Sequence, residues 1–179
     1  ITEQNSTYLL FGLALILVSL AFKVGAVPMH LWVPDVYQGA PTPTTAFLSI
    51  ASKAAGFAIA IRVTEPFLNS GTDIAAKTTF ILATLAGATI LLGNLAAIPQ
   101  KNFKRLLAYS SIANAGFILL PMAAWQTATD ELTSKQVIAF YLTIYLIMTF
   151  AAFFILAIIH RNTGSDDISA FEGLGRRHP

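Results

Sequence analysis

Long uncharged apolar runs, separated by short polar segments, dominate the pattern of this chain. A helix needs roughly 20 apolar residues to cross the hydrocarbon core of a bilayer, and most of the runs reach that length. We predict about five spans, at residues 8–34, 44–62, 78–99, 106–126 and 137–159. The pattern therefore predicts an all-α integral membrane protein, organised as one membrane domain over residues 1–179.

The first predicted span is interrupted in its second half. Lys23 ends an uncharged run, and Gly25 and Pro28 follow it closely. Proline removes a helical hydrogen bond, and its ring clashes with the preceding turn. We therefore predict that the helix breaks between Gly25 and Pro28, and that Lys23 lies within the hydrocarbon instead of at its edge.

Composition narrows the possible functions. Of the 179 residues, 55% are hydrophobic and only 11% are charged, whereas about a quarter is usual in soluble proteins. The net charge of +2 is too small to suggest nucleic acid. The chain has no cysteine and only three scattered histidines, and it has no phosphate-binding glycine loop and no nucleophile elbow. We therefore predict no catalytic, cofactor-binding or metal-binding residue in this chain.

The ends of the chain and its loop charges suggest how it sits in a membrane. No initiator methionine or basic segment precedes the first apolar run, so we expect a fragment of a longer polytopic subunit. Basic residues are twice as frequent in the loops on one side as on the other, which predicts that the first side is cytoplasmic. The first side holds Lys101, Lys104, Arg105, Arg161, Arg176 and Arg177, and the second holds Arg62, Lys77 and Lys135.

Two lysines inside predicted spans are the main candidates for proton transport. Lys23 precedes the helix break, and Lys53 lies near the centre of the second span. Burial disfavours the charged form of a lysine, so such an amine can bind and release protons near neutral pH. The alternatives are an interfacial Lys23 whose stem extends to the membrane surface, and a Lys53 paired permanently with a carboxylate on another helix.

His30 is the third candidate, because histidine titrates near neutral pH and follows Lys23 by seven residues. Its alternative is a histidine hydrogen-bonded in a loop. Nearby, Trp32, Pro34, Asp35 and Tyr37 favour an interfacial anchor and turn, with a helix-capping or cation-binding Asp35 as the alternative. Two polar stripes on later spans, with spacings of three and four residues, suggest either interhelical hydrogen bonds or a water wire. The stripes are Ser110, Ser111 and Asn114, and Tyr141, Tyr145 and Thr149.

Four segments together resemble a known family. They are FKVGAVPMHLWVPDVYQGAPTP with FLSIASKAA, then GNLAAIPQKNFKRLLAYSSIANAGFIL, and finally FEGLGRRHP. They closely resemble subunit N (subunit 2) of the proton-pumping NADH–quinone oxidoreductases, the family of respiratory complex I and its chloroplast relatives. The VYQGAPTP segment favours subunit N over its sister antiporter-like subunits.

The resemblance implies that this chain is the seventh to eleventh of about fourteen helices. It implies that Lys23 is the lysine of the family's broken helix, that Lys53 is its second central lysine, and that His30 is the PxHLW histidine. The family's partner glutamate and third lysine would lie outside this stretch. Flavin and iron–sulfur clusters would belong to partner subunits, with quinone as the substrate of the whole complex.

The function implied is proton translocation coupled to quinone reduction, in contact with lipid and other membrane subunits and without nucleic acid. A bacterial plasma membrane is favoured, with the thylakoid membrane as the alternative. The alternative functions are a monovalent cation/proton antiporter subunit, or a membrane subunit of a related hydrogenase. A passive scaffold that only holds its neighbours is a third hypothesis, from a different class.

Overall fold

The computed structural model describes residues 3–125 and 133–173. Five helical segments there are long and apolar enough to cross a membrane: Thr7–Val24, Thr42–Leu68, Asp73–Ala97, Phe103–Ala123 and Ser134–Thr163. The predicted all-α membrane fold with five spans is therefore confirmed. The predicted end of the fourth span at residue 126, Arg176, Arg177 and the last six residues of the FEGLGRRHP motif lie outside the described residues.

The helices follow one another with short connections. They are α1 (Glu3–Val24), α2 (Trp32–Gly39), α3 (Thr42–Phe47), a π-helical turn (Leu48–Ser52), α4 (Lys53–Leu68), α5 (Asp73–Ala97), α6 (Phe103–Ala123), α7 (Ser134–Thr163) and a 3₁₀ turn (Ile168–Phe171).

The break in the first predicted span is present and its backbone is well satisfied. Gly25 has φ 73°, in the left-handed region that glycine adopts without steric cost. The Ala26 N–H still donates to Ala21 O at 2.8 Å, and the Val27 N–H donates to the hydroxyl of Thr89 on α5 at 3.1 Å. After the break, residues 32–39 form the short helix α2, and its Tyr37 is buried.

The second span is one continuous helical rod with a local irregularity. α3, the π-helical turn and α4 run from Thr42 to Leu68, beyond the predicted end at residue 62. π-helical turns are rare and often occur at functional sites. This one ends directly before Lys53, which therefore begins the regular α-helix.

α5 and α6 pack closely through glycines. A Cβ placed on Gly93 would lie 2.6 Å from the backbone nitrogen of Ala113, and one on Gly116 would lie 2.9 Å from Ala86 O. Small residues at such interfaces let two membrane helices approach and gain van der Waals contact. A larger residue at either glycine would therefore push α5 and α6 apart.

Polar contacts gather at the two ends of the bundle. At one end, Trp125 donates to Asn69 at 2.9 Å, and Lys135 pairs with Glu65. The other end carries a second set of ion pairs: Arg105 with Asp35, Lys104 with Asp166, and His160 with Asp166. Ion pairs at both ends of the helices are expected when successive helices cross a membrane in opposite directions. We call the end of the bundle that carries this second set of ion pairs the basic end.

Candidate functional site

Lys53 is a buried amine near the middle of a membrane-spanning rod. The residue is 4% exposed, although nothing in its own helix neutralises it. Its side chain reaches across to α6. A lysine so far from both helix ends cannot extend its amine to either interface, so its partners decide whether its charge is tolerated.

The partners of the Lys53 amine in the described part of the chain are uncharged. Nζ donates to the hydroxyl of Ser111 at 2.6 Å and to the carbonyl of the same residue. It also lies 5.8 Å from the centroid of the Tyr145 ring, within the range of a cation–π contact. Within residues 3–125 and 133–173, no carboxylate forms an ion pair with Lys53. The permanently paired alternative therefore has no support among the described residues.

Ser111 joins three helices around this amine. Its hydroxyl accepts from Tyr145 OH on α7 at 2.9 Å, and lies 3.4 Å from Tyr37 OH on α2. All four residues are buried. We call Lys53, Ser111, Tyr145 and Tyr37 the lysine cluster. A hydroxyl has one donor and two acceptor positions and rotates freely between them, so Ser111 can serve either protonation state of the amine.

The two predicted polar stripes meet in the structure. Tyr141 OH donates to Asn114 Oδ1 at 2.6 Å, one turn from the contact between Tyr145 and Ser111. These contacts are interhelical hydrogen bonds between α6 and α7, which was one of the two expectations for the stripes. One member of each stripe also belongs to the lysine cluster.

Lys23 lies in the last turn of α1 and its side chain is exposed. No hydrogen bond or ion pair joins its amine to any other described residue. Its stem nevertheless runs beside α4, because a Cβ on Gly56 would lie 3.3 Å from Lys23 Cγ. Gly56 follows Lys53 by one helical turn, so the stem of Lys23 contacts the same face of α4 that carries Lys53.

His30 lies in the break between α1 and α2 and is half-buried. Its Nδ1 is buried and has no hydrogen-bond partner among the described residues. A buried polar nitrogen without a partner costs roughly 1–3 kcal/mol, and such atoms are rare in folded proteins. The structure therefore does not place His30 in the lysine cluster, and its Nδ1 stays available to a partner outside the described residues.

A second polar cluster was not predicted as a site. Lys104, used above only as a loop charge that sets orientation, is 6% exposed and pairs with Asp166 at 3.0 Å. Asp166 also contacts His160 Nδ1 at 2.8 Å. The spacing in the sequence could have indicated this cluster: Lys104 precedes Ser111 by seven residues, about two helical turns, so both lie on the same face of the helix. Asp35 Oδ1 accepts from Arg105 Nη1 at 2.6 Å.

Comparison with known proteins agrees with this architecture. Residues 2–179 match the family model described as "NADH:quinone oxidoreductase/Mrp antiporter, TM". NADH-quinone oxidoreductase subunit N of Dehalococcoides mccartyi is 44% identical over 97% of this chain and 36% of its own length. Subunit N of Chlorobium chlorochromatii is 46% identical over 98% of this chain and 34% of its own. This chain therefore spans about a third of the length of the curated relatives it matches.

Two solved structures share the fold. The membrane-bound sulfane sulfur reductase, an archaeal respiratory membrane complex, contains a chain with TM-score 0.81 and 33% identity over 94% of this chain and 33% of its own. Respiratory complex I from Thermus thermophilus contains one with TM-score 0.66 and 37% identity, over 93% of this chain and 34% of its own. The resemblance to subunit N is confirmed, and the match over residues 2–179 shows that this chain belongs to the NADH:quinone oxidoreductase/Mrp antiporter membrane family.

Proposed function

We propose that this chain is part of an antiporter-like membrane subunit that translocates protons in an NAD(P)H–quinone oxidoreductase. One observation carries the proposal: Lys53 is a buried amine in the middle of a span, and its partners among the described residues are neutral oxygens and an aromatic ring. Quinone is the substrate of the whole complex, and flavin and iron–sulfur clusters belong to partner subunits. This chain's part is to bind and pass on protons.

The geometry around Lys53 suits an amine that changes charge. When protonated, the amine donates to the carbonyl and the hydroxyl of Ser111, and the Tyr145 ring adds a cation–π attraction. After the proton leaves, the Ser111 hydroxyl can rotate and donate to the nitrogen lone pair. A fixed carboxylate would hold the charged form permanently, whereas these neutral groups stabilise it only partly. Lys53 can therefore release its proton when a nearby charge changes.

Lys23 and His30 supply the proton's approach to Lys53 in this proposal. Both belong to the broken segment, where irregular backbone at membrane depth lines polar cavities in transporters. A change of charge in the neighbouring redox part shifts the proton affinity of Lys23, which passes a proton to Lys53 through water. The position of the Lys23 side chain beside Gly56, one helical turn from Lys53, supports this order.

The experiment measures proton pumping and quinone reduction together in the intact complex. Lys53→Ala and Lys23→Ala are compared with Lys→Arg at each position, and assembly is checked on native gels. Lys77→Ala is the matched control, because Lys77 is an exposed lysine paired with Asp73 at the start of α5. We expect the two interior alanine variants to assemble but lose pumping and turnover together, while Lys77→Ala keeps both. Unchanged pumping in Lys53→Ala would overturn the proposal and favour the passive scaffold.

A monovalent cation/proton antiporter subunit, or a membrane subunit of a related respiratory complex or hydrogenase, is the second candidate function. It is favoured by the TM-score of 0.81 to a chain of an archaeal complex that is a sulfane sulfur reductase. The family description also names an antiporter. Transport that needs a sodium gradient and resists quinone-site inhibitors would select this candidate. Transport that stops with quinone reduction would select the first.

A bacterial plasma membrane, with the basic end in the cytoplasm, is the location we infer. The loop charges support the orientation, and the matched subunit N relatives come from bacteria. Protease cleavage or cysteine labelling of the loop between α5 and α6 in sealed vesicles of known sidedness tests it.

A further inference from the structure

His160, Asp166 and Lys104 form a connected row at the basic end. His160 Nδ1 lies 2.8 Å from one carboxylate oxygen of Asp166, and the other oxygen lies 3.0 Å from Lys104 Nζ. The three side chains are 48%, 15% and 7% exposed, in that order. The row therefore leads stepwise from the aqueous surface to a buried amine.

The inner end of this row lies on α6, the helix that also carries the Ser111 partner of Lys53. Lys104, Ala108 and Ser111 are the buried residues of one face of α6, and Ser111 holds the Lys53 amine. The seven residues from Lys104 to Ser111 correspond to about 10 Å of helix. Lys104 Nζ also donates to Ala40 O at 3.3 Å, in the turn after α2, and α2 carries Tyr37 of the lysine cluster. The two clusters are thus linked by α6 and by α2.

The other charged groups nearby are already engaged or face water. Arg105 pairs with Asp35 at 2.6 Å and with Gln38 at 2.9 Å, which occupies its guanidinium. Lys101, Arg161 and Asp167 are exposed. Among the described residues, the ion pairs of Asp166 are with His160 and Lys104. Its carboxylate therefore has a histidine on its outer side and a buried lysine on its inner side.

We propose that His160, Asp166 and Lys104 are a proton-uptake relay that supplies Lys53 from the aqueous phase at the basic end, as a second source of protons beside Lys23. This inference rests on the proposed function of Lys53. In each cycle Lys104 gives a proton to water on the way to Lys53 and becomes neutral. Doubly protonated His160 then gives its Nδ1 proton to the carboxylate, the carboxyl group reprotonates Lys104, and the neutral His160 takes a new proton from the aqueous phase. Only N–H and O–H bonds form and break, so protons balance at every step.

The competing explanation is purely structural, because the same segment is also held by its backbone. The Phe103 N–H donates to Asp166 O and the Ile168 N–H donates to Lys101 O, each at 2.8 Å, and Phe103 stacks on Phe171. These contacts secure the segment after α7 without the three side chains. Replacing the side chains therefore leaves the anchoring in place, which makes the relay testable.

The test uses the intact complex in inside-out vesicles and measures proton pumping with quinone reduction between pH 6 and pH 8.5. The variants are His160→Ala, Asp166→Asn and Lys104→Met, with Lys104→Arg as the conservative change. Lys135→Met and Glu65→Gln are matched controls, because they remove an ion pair at the opposite end of the helices. Imidazole and methylated imidazoles of different basicity are then added to the His160→Ala vesicles.

We expect turnover and pumping to fall together in the three variants, on the order of tenfold at pH 8 and much less at pH 6, with the controls unchanged. We further expect the imidazoles to restore His160→Ala in the order of their proton-donor strength. Equal losses at all pH values without rescue, or no loss at all, would overturn the relay.

Lys53→Ala in the same assay separates this inference from the proposed function. If Lys53→Ala abolishes pumping while the three variants pump normally, the relay is wrong and the proposed function stands. If Lys53→Ala pumps normally, both are overturned.

Discussion

Ser111 is the residue through which the reasoning about Lys53 can be tested most sharply. Ser111→Ala removes one oxygen atom and leaves the carbonyl that also accepts from Lys53. It deletes the 2.6 Å contact to the amine and the 2.9 Å contact from Tyr145 OH. The change is small and lies in a buried, well-packed part of α6.

The size of the expected effect follows from the charge of the Lys53 amine, which donates to the Ser111 hydroxyl. A hydrogen bond from a charged group contributes roughly 1.5–3 kcal/mol and one between neutral groups roughly 0.5–1.5 kcal/mol. Losing the Ser111 hydroxyl therefore costs the charged form of Lys53 about 1–1.5 kcal/mol more than the neutral form. Since about 1.4 kcal/mol is a factor of ten, proton loading of Lys53 weakens about fivefold to tenfold.

The assay is coupled proton pumping and quinone reduction by the intact complex at several pH values. Ser110→Ala is the matched control, because it removes the same atom from the neighbouring residue, whose hydroxyl makes a 3.4 Å contact with Asn114 and none with the Lys53 amine among the described residues. We expect Ser111→Ala to lower pumping at the alkaline side of the profile by about fivefold to tenfold, and Ser110→Ala to leave it unchanged.

The tyrosines provide an independent check on the same reasoning. Tyr145→Phe removes the second donor to Ser111, whereas Tyr141→Phe removes a donor to Asn114, outside the lysine cluster. If Ser111→Ala and Ser110→Ala had equal effects, or if Tyr141→Phe were as harmful as Tyr145→Phe, the hydroxyl of Ser111 would have no special part in proton loading.

Two further predictions concern the scaffold. Gly93→Ala is expected to destabilise the packing of α5 on α6 by roughly 1–3 kcal/mol, because the new methyl group meets the backbone of α6. We expect native gels to show a lower fraction of assembled complex. Gly87→Ala on the same helix is the control: its methyl group meets nothing within 4 Å, so this variant should assemble normally. Gly25→Ala is expected to reduce thermal stability of the complex by at least about 1 kcal/mol, because φ is 73° and a Cβ would lie 2.8 Å from a side-chain carbon of α2. Gly12→Ala, in open space on α1, is its control, and equal melting temperatures for these two variants would contradict the argument.

The spans and the break were predictable because they depend on local properties. Hydrophobic length decides whether a helix can cross a bilayer, and Pro28 and Gly25 act on their own backbone. The ends were less predictable: the second span continues past residue 62, because Leu68 packs into the apolar core and the Thr64 hydroxyl is satisfied by Ala60 O. The π-helical turn before Lys53 had no signal in the pattern.

The central lysine could also be chosen from the sequence, since a charge in the middle of an apolar run stands out by itself. Its partners could not be chosen, because Ser111 and Tyr145 come from helices far along the chain. The polar stripes on α6 and α7 showed which faces carry hydrogen-bonding groups. They did not show that these faces meet each other and the Lys53 amine.

The pattern of the sequence thus determined that this chain carries five membrane-spanning helices, with a break in the first and a lysine inside the second, because lipid solvation acts on each segment separately. Tertiary structure alone decided that Lys23 lies on an exposed face while Lys104, in a basic loop motif, is buried against Asp166. The physical reason is that the environment of a charge depends on which helices surround it, and helix packing is a property of contacts between distant segments.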